Sequence, residues 1–275
     1  MMDHLLRSLP TFKGKQRLAR LLLRKKIASG EGVTVTGKWG CVYNLPNIQE
    51  NIGFEILING IYEEETINFI CQRIKPGGVF LDVGANIGAI TIPVSKQRKD
   101  IDVISLEAAP WIFDYLNQNV IANQINKAKT INKAISDKGG MQVDFFSPKD
   151  KFGKGSMAPV FTTEAITIET ITLDQLTNLS KGRSIDFIKV DVEGFEALAF
   201  KGGSEVLGGS HAPAILFEFV DWAEQLAGET PGNAQGLLLN YGYKLYLFDH
   251  GKIGSPLKNP VTKGSYMIFG VKVDA

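Results

Sequence analysis

Lys75-Pro-Gly-Gly-Val-Phe-Leu-Asp-Val-Gly-Ala-Asn-Ile-Gly88 is the segment that most restricts what this chain can become. Proline and paired glycines end whatever precedes Val79, because they punctuate regular structure. Val79–Val83 is then a short, mainly apolar run, suited to a strand covered on both faces. Gly84 and Gly88 follow at once, and missing side chains let such a turn bring its backbone close to a ligand at the mouth of the next helix. The spacing is G-x-x-x-G. Neither the dinucleotide pattern G-x-G-x-x-G nor the phosphate loop G-x-x-x-x-G-K-[ST] is met, which argues against both nucleotide classes.

Beyond this turn, strands and helices alternate. Asp102–Glu107 reads as the second strand, residues 111–123 as a helix and Ala128–Ile135 as the third strand. Leu173–Leu179 is a short helix, Ile185–Val190 the fourth strand, Gly194–Leu207 a helix and Ala214–Phe219 the fifth strand. Pro93 fits the helix after the glycine turn only within its first turn, where no N–H is required. Residues 141–171 hold β-like runs around Phe152-Gly-Lys-Gly-Ser-Met157, which reads as a lid or a hairpin tip. Tyr243–Phe248 and Tyr266–Val273 resemble a closing β pair. The expected fold is α/β, a Rossmann-like, doubly wound and mainly parallel sheet with a terminal antiparallel strand.

Residues 63–275 are expected to form this domain, preceded by an extension over residues 1–62. The extension alternates in β fashion at Val33-Thr-Val and at Phe54-Glu-Ile-Leu-Ile, and a helix is predicted over Glu64–Ile74. Its first 26 residues carry Arg7, Lys13, Lys15, Arg17, Arg20, Arg24, Lys25 and Lys26 against Asp3. Leu18, Leu21 and Leu22 recur there at helical spacing, which predicts a basic amphipathic helix. Two uses fit it: packing on the main domain, or contact with an anionic surface such as a membrane or a lipid-linked substrate.

The net charge of +1 gives no global pull towards nucleic acid or membrane. Cys41 and Cys71 form neither a disulfide framework nor a zinc set, and read as reduced, structural thiols. No stretch reaches the roughly 20 apolar residues of a membrane span, and no signal core is seen at the N-terminus. The expected location is cytoplasmic, and a homo-oligomer is left open.

Carboxylates sharpen the reading. Asp82, at the end of the first strand, would repel a pyrophosphate but attract an ammonium. Glu107 ends the second strand about 20 residues beyond the glycine turn, where an acid can accept hydrogen bonds from both ribose hydroxyls. Together they suit a ligand with a ribose and a cationic amino-acid tail, as in S-adenosylmethionine. Asp191-Val-Glu193-Gly194 follows the fourth strand, and Glu218 lies near the end of the fifth. A doubly wound sheet gathers all five acids at its carboxyl edge. That concentration is costly unless it binds cations, ligand hydroxyls or protons. Glu196 reads as a first-turn helix acid favoured by the helix dipole. His250 reads as a loop residue, with a proton shuttle as the alternative, and His4 and His211 as incidental.

Residues 60–250 resemble the FkbM family of S-adenosylmethionine-dependent methyltransferases. The likeness rests on Lys75–Gly88, Leu106-Glu-Ala-Ala-Pro110, Asn132-Lys-Ala-Ile-Ser-Asp137, Thr172-Leu-Asp174 and Asp186-Phe-Ile-Lys-Val-Asp-Val-Glu-Gly-Phe-Glu196. Asn86 stands where methyltransferases in general have a middle glycine, although this is usual for the family. Leu106-Glu-Ala-Ala replaces the more frequent aromatic-Glu-Pro-Asn. The resemblance implies methylation of hydroxyls on sugars, glycolipids, polyketides or other secondary metabolites. It implies that Asp82, Gly84, Ala85, Asn86 and Gly88 surround the methionine part, that Glu107 holds the ribose, and that Ala134 and Ile135 lie beside the adenine. In the wider fold, the Asp191–Gly194 turn faces the methyl group.

The expected activity is O-methylation of a small-molecule or glycan hydroxyl, with Asp191 or Glu193 as general base. The alternative is that Asp191, Glu193 and Glu218 hold Mg²⁺, which would lower the hydroxyl pKa. A nucleic-acid methyltransferase is suggested by the basic N-terminus. It is disfavoured by the lack of an Asn/Asp-Pro-Pro-aromatic run and of any further basic patch interleaved with aromatics. A catalytically inactive S-adenosylmethionine-binding protein is the non-enzyme alternative. Acceptor contacts are expected from the irregular segments 37–62, 146–160 and 220–235.

Overall fold

The structure, a computed structural model, describes residues 5–7, 9–10, 12–180 and 182–272; Asp3, His4 and Val273 lie outside them. In chain order its elements are α1 (Lys15–Leu22), α2 (Arg24–Ala28), β1 (Val33–Thr36), β2 (Val42–Leu45), α3 (Asn51–Asn59) and α4 (Glu64–Cys71). There follow β3 (Val79–Val83), α5 (Thr91–Gln97), β4 (Asp102–Leu106), α6 (Pro110–Ala122), β5 (Ala128–Ile131), β6 (Ala134–Ile135), β7 (Gln142–Phe146) and β8 (Ala165–Ile171). The chain continues through α7 (Leu173–Thr177), β9 (Phe187–Val190), α8 (Glu196–Lys201), α9 (Ser204–Gly208) and β10 (Ala214–Val220). It closes with α10 (Asp221–Leu226), α11 (Asn233–Asn240), β11 (Tyr243–Asp249), β12 (Lys252–Pro256) and β13 (Ser265–Lys272).

Strands β3 and β9 are buried at every position, as strands covered by helices on both faces must be. They lie side by side in the centre of a sheet ordered β12-β11-β13-β10-β9-β3-β4-β5. The pairs from β10 to β5 are parallel. β13 enters antiparallel between β10 and β11, and β12 folds antiparallel onto β11. The expected doubly wound sheet with an antiparallel closing strand is therefore present. From β3 the chain builds outward through β4 and β5, then returns to β9 on the other side. The strand order reverses between β3 and β9, and a crevice opens beyond their carboxyl ends.

Several local expectations are corrected. Phe54-Glu-Ile-Leu-Ile is helical, in α3, and not a strand. Phe54, Ile56, Leu57 and Ile58 are all buried, so the alternation was a by-product of a helix covered on most sides. The expected third strand breaks after Ile131, because the Asn132 side-chain amide donates to the carbonyls of Glu107 and Ala108 (both 2.9 Å) and turns the chain. The remainder, β6, pairs with β8 in a separate sheet ordered β6-β8-β7. The helix expected over Gly194–Leu207 is interrupted between α8 and α9, where Gly202 lies so close to Ser136 that a Cβ would sit 2.3 Å from its carbonyl oxygen. Pro93 occupies the first turn of α5. In α1 the apolar face is reversed: Lys15, Ala19 and the following Leu23 point inward, whereas Leu18, Leu21 and Leu22 are exposed.

The extension shares a core with the sheet's first helix layer, in which Tyr43, Leu45 and Phe54 pack with Ile87, Ile92 and Leu116. Two asparagines one turn apart, Asn119 on α6 and Asn123 capping its C-terminus, hold it there. Asn123 exchanges hydrogen bonds with both backbone groups of Val42 (2.9 and 2.6 Å). Asn119 accepts from the Asn44 N–H at 2.6 Å and donates to the Ile87 carbonyl at 2.8 Å. Their amides satisfy an edge of β2 that no strand pairs. Replacing Asn119 by Ala removes its bonds to the Asn44 N–H, the Asn44 carbonyl and the Ile87 carbonyl and should lower the unfolding free energy by about 2–3 kcal/mol. Urea denaturation checks this against the exposed Asn126→Ala, which should leave stability unchanged.

Candidate active site

At the end of β3 the Asp82 carboxylate is fully buried. Its Oδ2 accepts a 2.6 Å hydrogen bond from the Thr91 hydroxyl, which also contacts Ser105 Oγ at 2.7 Å. Its Oδ1 has no partner, although the residue lines the crevice. Burial pushes the Asp82 carboxyl above its ordinary value, against the pull of Lys189 and Thr91.

The turn after β3 depends on Gly84. Its φ of +82° suits glycine, and a Cβ there would lie 1.9 Å from the Asp191 carbonyl oxygen. The two crossing turns can touch only because this side chain is missing. The N–H groups of Gly84 and Ala85 both donate to Leu106 O (2.9 and 2.8 Å). Glu107 clamps the other side: one carboxylate oxygen accepts from the Asn86 N–H and the other from the Ala109 N–H, both at 2.9 Å. Burial raises the Glu107 carboxyl to about 7 despite these bonds. The Asn86 amide then reaches outward to the carbonyl of Phe152 at 2.7 Å.

Across the crevice, β9 carries Lys189, buried between Ile188 and Val190. Its ammonium donates to Asp191 Oδ2 at 3.0 Å. Burial by itself would lower this group, but Asp191, Asp82 and Glu63 outweigh it and raise the ammonium above its ordinary value. One buried cation thus serves carboxylates from three elements. In the following turn Glu193 has a left-handed φ of +50°, a conformation costly for a side chain of this size. Its Oε1 accepts from Lys154 at 2.9 Å. Burial, then Asp191, raises the Glu193 carboxyl. Glu218 from β10 faces the same space, and burial together with Asp191 and Glu193 lifts it to about 7.

The resulting cavity has a volume of about 250 Å³. Asp82, Gly84, Ala85, Asn86, Glu107, Ala134 and Ile135 line one part; Asp191, Glu193 and Glu218 line another. Gly88 does not reach the wall, since it lies behind the turn against Leu116 and Ile92. Segments 37–62 and 146–160 contribute Glu50, Tyr62, Phe152 and Lys154, whereas no residue of 220–235 lines the cavity. Phe152 is fully buried and Ser156 pairs with Phe146, so in this structure the glycine-bearing stretch forms part of the cavity wall.

Lys189, Lys154 and Glu63 were missed from sequence. A lone lysine inside Ile185–Val190 was a usable signal for the first; nothing local marked the other two. Glu196 stands in the first turn of α8, as expected, but is buried and accepts from the Val192 N–H at 3.1 Å, bracing the acidic turn. Burial raises it to about 8. His250 is exposed beside Glu65, and neither it nor His211 lines the cavity. Among the described residues no group of three or more His, Cys, Asp or Glu could hold a metal ion. The Mg²⁺ expectation finds no support here, and Asp191 and Glu193 engage the ammoniums of Lys189 and Lys154 instead.

A model described as the methyltransferase FkbM domain matches residues 82–245. The chain is 28% identical over 145 residues to the hexuronic acid methyltransferase AglP of Haloferax volcanii, covering 53% of this chain and 58% of that protein. It is 33% identical over 89 residues to a probable ribosomal RNA small subunit methyltransferase A of Methanosphaera stadtmanae, covering 32% and 30%. The chain therefore spans between 30% and 58% of the length of these relatives. A TehB-like SAM-dependent methyltransferase from Corynebacterium glutamicum superposes with a TM-score of 0.45 at 15% identity, covering 78% of this chain and 92% of that one.

Replacing Lys189 by Met leaves Asp82 and Glu63 buried without their shared counter-charge, and should cost about 3 kcal/mol of stability at pH 8. Both carboxyls already sit above their ordinary values when folded. The native state then binds more protons than the unfolded chain, so stability contributed by protonation is present at low pH and lost as pH rises. Chemical denaturation should show the deficit of Lys189→Met shrinking from pH 8 towards pH 5.

Proposed function

The chain belongs to the FkbM methyltransferase family, and on that premise we propose that this S-adenosylmethionine-dependent methyltransferase acts on a hydroxyl of a sugar or sugar-bearing acceptor. The observation that carries the reading is the division of one cavity into two acidic sides at the strand-order reversal. On the first side, the unpartnered Asp82 Oδ1 suits the ammonium of an amino acid, and Glu107 suits a pair of ribose hydroxyls. Gly84, Ala85 and Asn86 border the methionine part, and Ala134 with Ile135 flanks the adenine. Bound there, S-adenosylmethionine supplies a methyl carbon already activated by its sulfonium.

What remains for the protein is to align the acceptor oxygen, exclude water and take its proton. The second side holds three carboxylates for this. Asp191 is committed to Lys189, and Glu193 to Lys154. Among the described residues Glu218 has no ammonium within ion-pair distance, and its raised carboxyl matches a proton acceptor near neutral pH. We assign the proton to Glu218, with Asp191 and Glu193 orienting the hydroxyl. The Haloferax hexuronic acid methyltransferase supports a sugar acceptor. An RNA acceptor fits less well, because Glu50, Asp191, Glu193 and Glu218 would face its phosphates.

Calorimetry should show S-adenosylmethionine and its demethylated product binding the purified chain, with Glu107→Ala weakening both by tenfold or more. No heat from either ligand would overturn the cofactor assignment. In turnover assays across neutral hexoses and hexuronic acids, Glu218→Gln should lower kcat by about 10²–10⁴-fold. A base must be unprotonated, so the wild-type rate should climb with pH and level off above about 7. That limb should vanish in Glu218→Gln; an unchanged profile transfers the role to Asp191 or Glu193.

A further inference from the structure

We propose that the N-terminal face of the protein, formed by α1 and its flanks, docks on an anionic lipid surface. Leu18, Leu21 and Leu22 occupy one face of α1 at i, i+3 and i+4. A helix packed on a domain buries such a stripe, yet here Leu21 is 66% exposed while Ala19 is fully buried. The inversion has a physical cause. Lys15, Ala19 and Leu23 occupy the buried side of the helix. The Lys15 ammonium donates to Leu9 O at 2.9 Å in the preceding segment, and the exposed Arg20 guanidinium lies 4.3 Å from the Phe54 ring centre of α3. With Lys15 held inward, the leucines are turned out. Phe12 and Leu9 extend the exposed apolar surface along the preceding segment.

The charge of this segment is one-sided, and the nearby acid Glu55 of α3 is engaged by the Gln16 amide at 3.1 Å. Residues 1–26 hold eight of the chain's 30 lysines and arginines and one of its 29 acids. Exposed Lys13, Arg17, Arg24 and Lys25 border the leucines. Exposed leucines ringed by cations, with no acid between His4 and Gly30, match an interface whose outer layer is anionic and whose depth is hydrocarbon. Polynucleotides share the first property and lack the second. The contact is peripheral: no helix among the described residues is long and apolar enough to cross a membrane. The proposal is independent of the acceptor reading, since none of these residues lines the cavity.

Flotation of the full chain with vesicles tests it. Binding should appear with phosphatidylcholine–phosphatidylglycerol vesicles and be absent with phosphatidylcholine alone. The combined change Leu18→Ser, Leu21→Ser, Leu22→Ser should reduce the bound fraction at least tenfold, as should Arg17→Gln with Arg24→Gln, while S-adenosylmethionine affinity stays constant. Leu21→Trp gives a second readout, a blue-shifted emission on addition of anionic vesicles. Three results would overturn the proposal: no binding to anionic vesicles, binding that ignores the leucine changes, as for contact by charge alone, or a wild-type oligomer that the leucine changes dissociate. The last would assign the face to a second copy of the chain.

Discussion

A single buried ammonium organises the crevice. Lys189 lies in the fully covered centre of the sheet, bonded to Asp191 and within electrostatic reach of Asp82 and Glu63. Taking that charge out of water is costly, and taking out the carboxylates is costly too; together they offset one another at the tips of β3 and β9. Asp82 is fully buried, whereas Asp191 keeps about a third of its side chain exposed, 37%. The cation of β9 lies beside the Asp82 strand end and two residues before Asp191.

This arrangement fixes the geometry of what lies around it. Gly84 lets the turn after β3 rest on the Asp191 carbonyl, so the two halves of the doubly wound sheet meet through backbone and not through side chains. Glu107 ties the same turn to the start of α6, and Asn86 carries the connection on to the loop between β7 and β8. That loop returns Lys154 to Glu193 on the opposite side. The cavity is thus enclosed by a chain of hydrogen bonds running from one acidic turn to the other. Its carboxylates differ in partners: Glu193 is paired with Lys154, whereas among the described residues Glu218 has no ion-pair partner and feels Lys189 and Lys154 only at longer range.

The extension is part of this enclosure. Asn119 and Asn123 fasten β2 to α6, and the segment leading from β2 into α4 supplies Glu50 and Tyr62 to the wall. Part of the cavity wall is therefore made by chain outside the parallel sheet. Specificity in such a fold resides in these added walls, while the sheet edge carries the chemistry common to the fold.

Much of the sheet could be read from local pattern. A short apolar run before a glycine turn, repeated with helices between, defines parallel strands, because burial on both faces demands continuous apolar sequence. Asp82, Glu107, Asp191, Glu193 and Glu218 were legible because topology sends every strand end to one edge. Local pattern failed where distant neighbours decide. Phe54–Ile58 reads like a strand because a helix buried on nearly all sides carries no polar stripe, and α1 turns its leucines outward because Lys15, Ala19 and Leu23 take its buried side. The pairing of Lys154 with Glu193 joins residues from separate elements. Sequence alone determined the kind of sheet and which edge holds the acids, since both follow from periodicity and chain order. Only the tertiary structure decided which acid has a counter-charge and which face is left bare, since those depend on distances that no neighbouring residue sets.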